Sequence, residues 1–185
     1  MAFRESDPEI AVRILLKCIG ENPDREGLKE TPSRIIRAYK ELFAGYHIEP
    51  ASVLKTFEDG ACDEMVLLKG IDFYSFCEHH WLPFSGKAHI AYLPDGKVVG
   101  VSKLARLLDV YARRLQIQER LCQQVTKALM EHLQPKGAAC IIEASHLCMA
   151  CRGVQKQHAV MVTSSLAGEF LAPEVRQEFL ALVRG

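Results

Sequence analysis

Apolar positions recur at helical spacing in two stretches near the N-terminus. Ala11, Ile14, Leu15, Cys18 and Ile19 make the first, and Ile35, Ile36, Tyr39, Leu42 and Phe43 make the second. Asp7-Pro8 reads as an N-cap followed by proline at the first helical position, and Thr31-Pro32 repeats the signal. Gly20 and Gly45 supply stops, and residues 21–30 read as a polar loop. From Glu64 the period shortens towards two, which predicts strands over 65–68 and 71–76. A third strand is predicted over 87–93, and Asp95-Gly96 is a hairpin signal leading into a strand over 97–101. Ser102 reads as the N-cap of a long helical region. Its first stripe is Leu104, Leu107, Leu108 and Tyr111; its second is Leu121, Val125, Ala128, Leu129 and Leu133, ended by Pro135 and Gly137. Strands are predicted over 138–144, running into His146, and over 159–163, with a closing helix over 173–183. Helices and strands in this order predict an α+β fold, with a helical segment over 1–60 and a strand-rich domain over 61–185.

Composition narrows the classes. Of 185 residues, 49% are apolar, so a packed core is expected rather than disorder. Acidic and basic residues balance at 23 each, which gives no global pull towards nucleic acid or membrane. Seven cysteines, an odd number, with no secretory signal argue for a reducing compartment. No apolar run approaches the ~20 residues of a membrane span. The chain reads as soluble and cytoplasmic.

Chemistry concentrates in Cys77-Glu78-His79-His80. Cys77 and His80 have a chelating Cys-x2-His spacing, but two local ligands are too few for a firm zinc site. The second source is His146-Leu-Cys-Met-Ala-Cys-Arg152, where Cys148 and Cys151 have Cys-x2-Cys spacing. In a closed site Cys77, His80, Cys148 and Cys151 surround a structural zinc. In an open site three of them bind and water takes the fourth place, so the zinc is catalytic. Spacing favours the closed site. The surplus imidazoles of His79 and His146 favour the open one, because hydrolysis needs groups that titrate near neutrality.

Other polar groups call for partners. Ser102, Lys103 and Arg106 stand where helix N–H groups and the helix dipole would attract an anion, with Arg113 and Arg114 further on. Gln118 and Glu119, with Gln116, suit a nucleobase edge by their donors and acceptors. Arg152 lies four residues from Cys148 and could clamp a phosphate. The basic helix start and the Gln116, Gln118 and Glu119 group also read as solvated surface. His47, His89, His132 and His158 read as structural or exposed, Cys18, Cys122 and Cys140 as small core residues, and Cys62 as incidental.

Residues 75–94, 99–106, 113–121 and 146–154, with Thr163-Ser-Ser, resemble GTP cyclohydrolase I in sequence and order. The resemblance runs from about Asp7 to the C-terminus. It implies a tunnelling fold, an antiparallel four-stranded sheet backed by helices, over 61–185 and a homodecamer with active sites at subunit interfaces. It implies conversion of GTP and water to 7,8-dihydroneopterin triphosphate and formate, the first step towards tetrahydrofolate or tetrahydrobiopterin; allosteric control is compatible with it. Carried over residue by residue, Cys77, His80 and Cys148 resemble the zinc ligands, with water in the fourth place. His146 resembles the acid for the base's imidazole ring and His79 a second proton-transfer group. Gln118 and Glu119 resemble the guanine contacts, and Ser102, Lys103, Arg106 and Arg152 the ribose and triphosphate contacts, with Arg37 as a further phosphate contact. Cys151 departs from the family pattern and is expected to be a bystander. The segment before the first helix is short, so no regulatory extension is expected.

Overall fold

The computed structural model describes residues 7–59 and 62–185, and the boundary predicted at 60/61 lies outside the described residues. The chain forms two compact units, Met1–Ala44 and Gly45–Gly185. In the first, α1 (Pro8–Cys18) packs against α2 (Thr31–Leu42). The carboxylate of Asp7 accepts from Glu9 N at 3.1 Å, the predicted N-cap. Helix α2 begins at Thr31 itself, with Glu30 in the cap position. Cys18, expected in the core, is exposed.

The second unit holds α3 (Pro50–Val53), β1 (Thr56–Phe57), β2 (Val66–Cys77), β3 (Pro83–Leu93), β4 (Val98–Val99) and α4 (Val101–Ala112). It continues with β5 (Leu115–Gln116), α5 (Gln118–His132), β6 (Gly137–His146), α6 (Leu147–Ala150), β7 (Met161–Gly168) and α7 (Pro173–Arg184). The architecture is α+β, as predicted. The main sheet runs β5-β2-β3-β6-β7, with four long antiparallel strands and the two-residue β5 added parallel to β2. Alternation sorts its faces. Phe73, Cys77, Phe84, Ile90, Tyr92, Cys140 and Ile142 pack with Leu104, Leu108, Leu121 and Leu129 of α4 and α5. On the opposite face Ala91, Ala139 and Ile141 meet Phe170 and Phe179 of the C-terminal segment. None of the described helices is long and apolar enough to cross a membrane.

The structure corrects several predicted elements. The strands over 65–68 and 71–76 are one strand, because Gly70 at φ +73° lets the chain bulge between Leu68 and Ile71 without leaving the sheet. Asp95-Gly96 does not close a hairpin: β4 pairs with β1, not with β3. The long helical region is two helices, split where Leu115–Gln116 pairs with Phe76–Cys77. Ser102 lies inside the first turn of α4, with Gly100 as the cap residue.

This topology gathers the chemistry at one end of the sheet. Phe76 pairs with Pro83, Cys77 with Gln116, and Phe84 with His146. The 12 residues of α4 start at the other end, where Val99 N donates to Tyr92 Oη at 3.1 Å, and run back towards β5. Ser102 lies about 15 Å along the helix axis from Ala112 at the β5 end, at 1.5 Å per residue.

Candidate metal centre

Cys77 ends β2, and the turn to β3 begins there. Cys77 N donates to Leu82 O and Trp81 N to Cys77 O, both at 2.9 Å. Trp81 takes φ +55°, a left-handed conformation unusual for a bulky residue. The turn swings His80 back so that its Nδ1 lies 3.6 Å from Cys77 Sγ. Cys148 arrives from the four-residue α6, which follows β6 directly. The ligand atoms of Cys77, His80 and Cys148 all lie within 4.8 Å of one another. Cys77 is buried, Cys148 half-buried and His80 exposed. Among the described residues this is the group able to hold a metal ion, and Cys151, exposed at the end of α6, stands outside it.

The donor set fits zinc. Bonds of about 2.3 Å to sulfur and 2.1 Å to nitrogen in a tetrahedron put those two atoms about 3.6 Å apart. The Cys77–His80 separation is 3.6 Å. Burial, and then the neighbouring Cys77 thiol, push the Cys148 thiol up, a shift that a bound divalent cation reverses.

Both surplus histidines lie at the same end of the sheet. His79 is exposed, with Nδ1 3.9 Å from Cys77 Sγ and Nε2 3.8 Å from a Glu78 oxygen. His146 is better enclosed. Its ring stacks on Phe84 at 4.5 Å with 4° between planes, and its Nε2 lies 2.8 Å from Gln118 Oε1. Burial lowers its pKa, and the Glu119 carboxylate opposes that shift. Glu119 itself is exposed on the first turn of α5. Gln118 is 1% exposed, and its amide nitrogen donates into the fold. Arg152 is exposed just beyond α6, whereas Ser102 and Lys103 lie on the first turn of α4 and Arg106 midway along it.

Two supports, Phe84 and Arg120, gave no signal of their own in the sequence. Phe84 falls before the strand predicted over 87–93, yet it lies in β3 and is the surface on which His146 rests. Glu78 is tied to Arg120, which also donates to Gln116 Oε1 and Leu115 O, each at 3.1 Å. Gln116 in turn donates to Tyr111 O at 2.9 Å and Gln124 Oε1 at 2.7 Å. The hydrogen bond from Arg120 holds the Glu78 carboxyl below its usual range.

Fold and site together define an α+β protein with a thiol–imidazole metal centre exposed on its imidazole side. A family model described as GTP cyclohydrolase I matches residues 9–184, and the chain belongs to that enzyme family. It is 54% identical over 178 residues to GTP cyclohydrolase 1 of Wolinella succinogenes, covering 95% of each chain. It is 52% identical over 184 residues to GTP cyclohydrolase 1 of Streptomyces griseus, covering 98% of this chain and 92% of that one. A solved structure of the archaeosine synthase QueF-Like in the apo form covers 58% of this chain and 97% of its own. Its 15% identity and TM-score of 0.46 are too low to bear on function.

Proposed function

We propose that this protein converts GTP and water to 7,8-dihydroneopterin triphosphate and formate, with zinc held by Cys77, His80 and Cys148. The observation that carries this reading is the convergence of those three donor atoms, from two distant segments, within 4.8 Å of one another. Zinc, when bound, supplies a Lewis acid that activates water near neutral pH. His146 holds the proton for the imidazole ring of the base, making C8 more electrophilic. His79, exposed and beside the Glu78 carboxylate, moves protons during ring opening. Glu119, close to His146, accepts a pair of N–H donors from the guanine edge, with the backbone of Gln118 beside it. Arg152 holds phosphate on the metal side.

Ser102, Lys103 and Arg106 complete the ribose and triphosphate site from a second copy of the chain. The course of α4 supports this, since it carries those residues away from their own metal end. The assembly is a homodecamer of tunnelling-fold subunits with interfacial active sites. It works in a reducing, cytoplasmic setting, and all seven cysteines are free thiols. The product enters tetrahydrofolate or tetrahydrobiopterin synthesis.

The test is to incubate zinc-loaded protein with GTP and assay formate together with the fluorescence of the oxidised pterin. Both are expected, and absence of both rejects the proposal.

A further inference from the structure

We propose that Gln118 is a positioning residue that fixes His146 in its Nε2–H tautomer through the contact to its Oε1, which leaves Nδ1 as the nitrogen without hydrogen in the neutral ring. The inference rests on the reading of His146 as the proton-transfer group, and it changes what Gln118 does in that reaction.

The amide of Gln118 can stand only one way round. Its Nε2 faces Ile142 O and Met161 O, both at 2.9 Å, with Thr163 Oγ1 at 3.2 Å. Backbone carbonyls only accept hydrogen bonds, so the group facing them must be the NH2. The carbonyl oxygen is left facing His146 Nε2 at 2.8 Å. That oxygen also only accepts, so His146 Nε2 must carry a hydrogen whether the ring is neutral or charged. Nδ1 is then the nitrogen that lacks a hydrogen in the neutral ring.

Two further contacts hold this state. Phe84 lies flat against the ring, which confines the imidazole to one plane. A half-turn about Cβ–Cγ would keep the stack, but it would leave the Gln118 oxygen, on a residue 1% exposed, without its donor. The same amide cannot also read the guanine edge while its nitrogen serves two carbonyls. Any guanine contact from residue 118 falls to its backbone, and side-chain recognition falls to Glu119.

The test reads tautomer and kinetics separately. Solid-state nitrogen NMR of histidine-labelled, zinc-loaded protein, with the signal assigned by its loss in His146→Gln, is expected to show Nε2–H. Gln118→Met removes the acceptor at similar length. It is expected to mix the tautomers and lower kcat about 100-fold. Its KM for GTP should change less than about threefold. Gln118→Glu keeps an acceptor oxygen opposite Nε2, but its other oxygen faces Ile142 O and Met161 O and fits there only as the O–H of the neutral acid; in that form it should hold the tautomer and recover part of kcat. Nδ1–H in the parent overturns the proposal. So does an unchanged tautomer in Gln118→Met, or a loss confined to KM. If Gln118→Met does not fold, the parent and Gln118→Glu spectra decide. A parent inert towards GTP would reject the proposed activity, yet the tautomer would still be read.

Discussion

The turn from Cys77 to Leu82 and the segment from His146 to Arg152 both reach the candidate metal centre, but they are held differently. The turn is closed by its own backbone bonds and fastened to β5 by Glu78 N donating to Gln116 O at 3.0 Å. The Arg120–Glu78 pair ties it to α5 as well. The second segment leaves the sheet after His146 and relies on a four-residue helix. Beyond that come single bonds such as Lys156 N to Met149 O at 3.0 Å, and residues 151–160 are all exposed. Cys77 and His80 are therefore a prebuilt chelate. Cys148 is the candidate ligand whose place would depend on a bound ion, because loosely bonded exposed segments open at little free-energy cost.

The largest expected effect removes both sides at once. A Cβ on Gly86 would stand 1.8 Å from Glu143 O and 2.7 Å from Ala144 Cα, so Gly86→Ala must force β3 and β6 apart. We expect a loss of about 4 kcal/mol or more in urea unfolding, with zinc binding and turnover lost together. Next come the ligands. Cys77→Ala and Cys148→Ala should each abolish stoichiometric zinc and formate production, measured by metal analysis and product assay. Retention of both in either variant would show that the ligand set is wrong.

A smaller effect sharpens the contrast. Arg120→Met unties the turn without touching a ligand and should weaken zinc about 10- to 100-fold in chelator competition. Removing zinc with a chelator should raise hydrogen exchange across 147–158 while leaving 77–82 protected. Equal deprotection of the two would mean that neither is prebuilt.

The smallest effect lies away from the metal. His89 is 7% exposed, and burial lowers its pKa below 6.5, with Glu143 opposing and Lys69 and Lys87 assisting. The unfolded chain takes up that proton first as pH falls. The stability from neutral His89 is therefore full above pH 6.5 and is lost as pH drops from there through the folded value. His89→Leu should flatten the urea midpoint against pH in that window while leaving metal content unchanged.

The candidate metal group was legible in part, because thiol and imidazole at short spacing have few other uses, but spacing also offered Cys151, which the structure leaves outside the group. Local signals also served where they were self-contained, as with the Asp7 cap and the β6 run into His146. They failed where pairing was non-local. Leu115–Gln116 looks like part of a helical region, and only Phe76–Cys77 makes it a strand. Asp95-Gly96 has hairpin chemistry, yet Thr56–Phe57 takes the partner it seemed to prepare. Gln118 has the same ambiguity at the level of one side chain. Its type suits a nucleobase, and only the carbonyls of β6 and β7 reveal where its amide is spent.

The course of α4 reaches into genetics. In the interfacial arrangement proposed above, Lys103 serves a neighbour's metal end and not its own. Two defective alleles, one carrying Cys148→Ala and the other Lys103→Ala, should then complement when co-expressed, because mixed assemblies contain some intact junctions. Neither allele alone, at any dose, would do so.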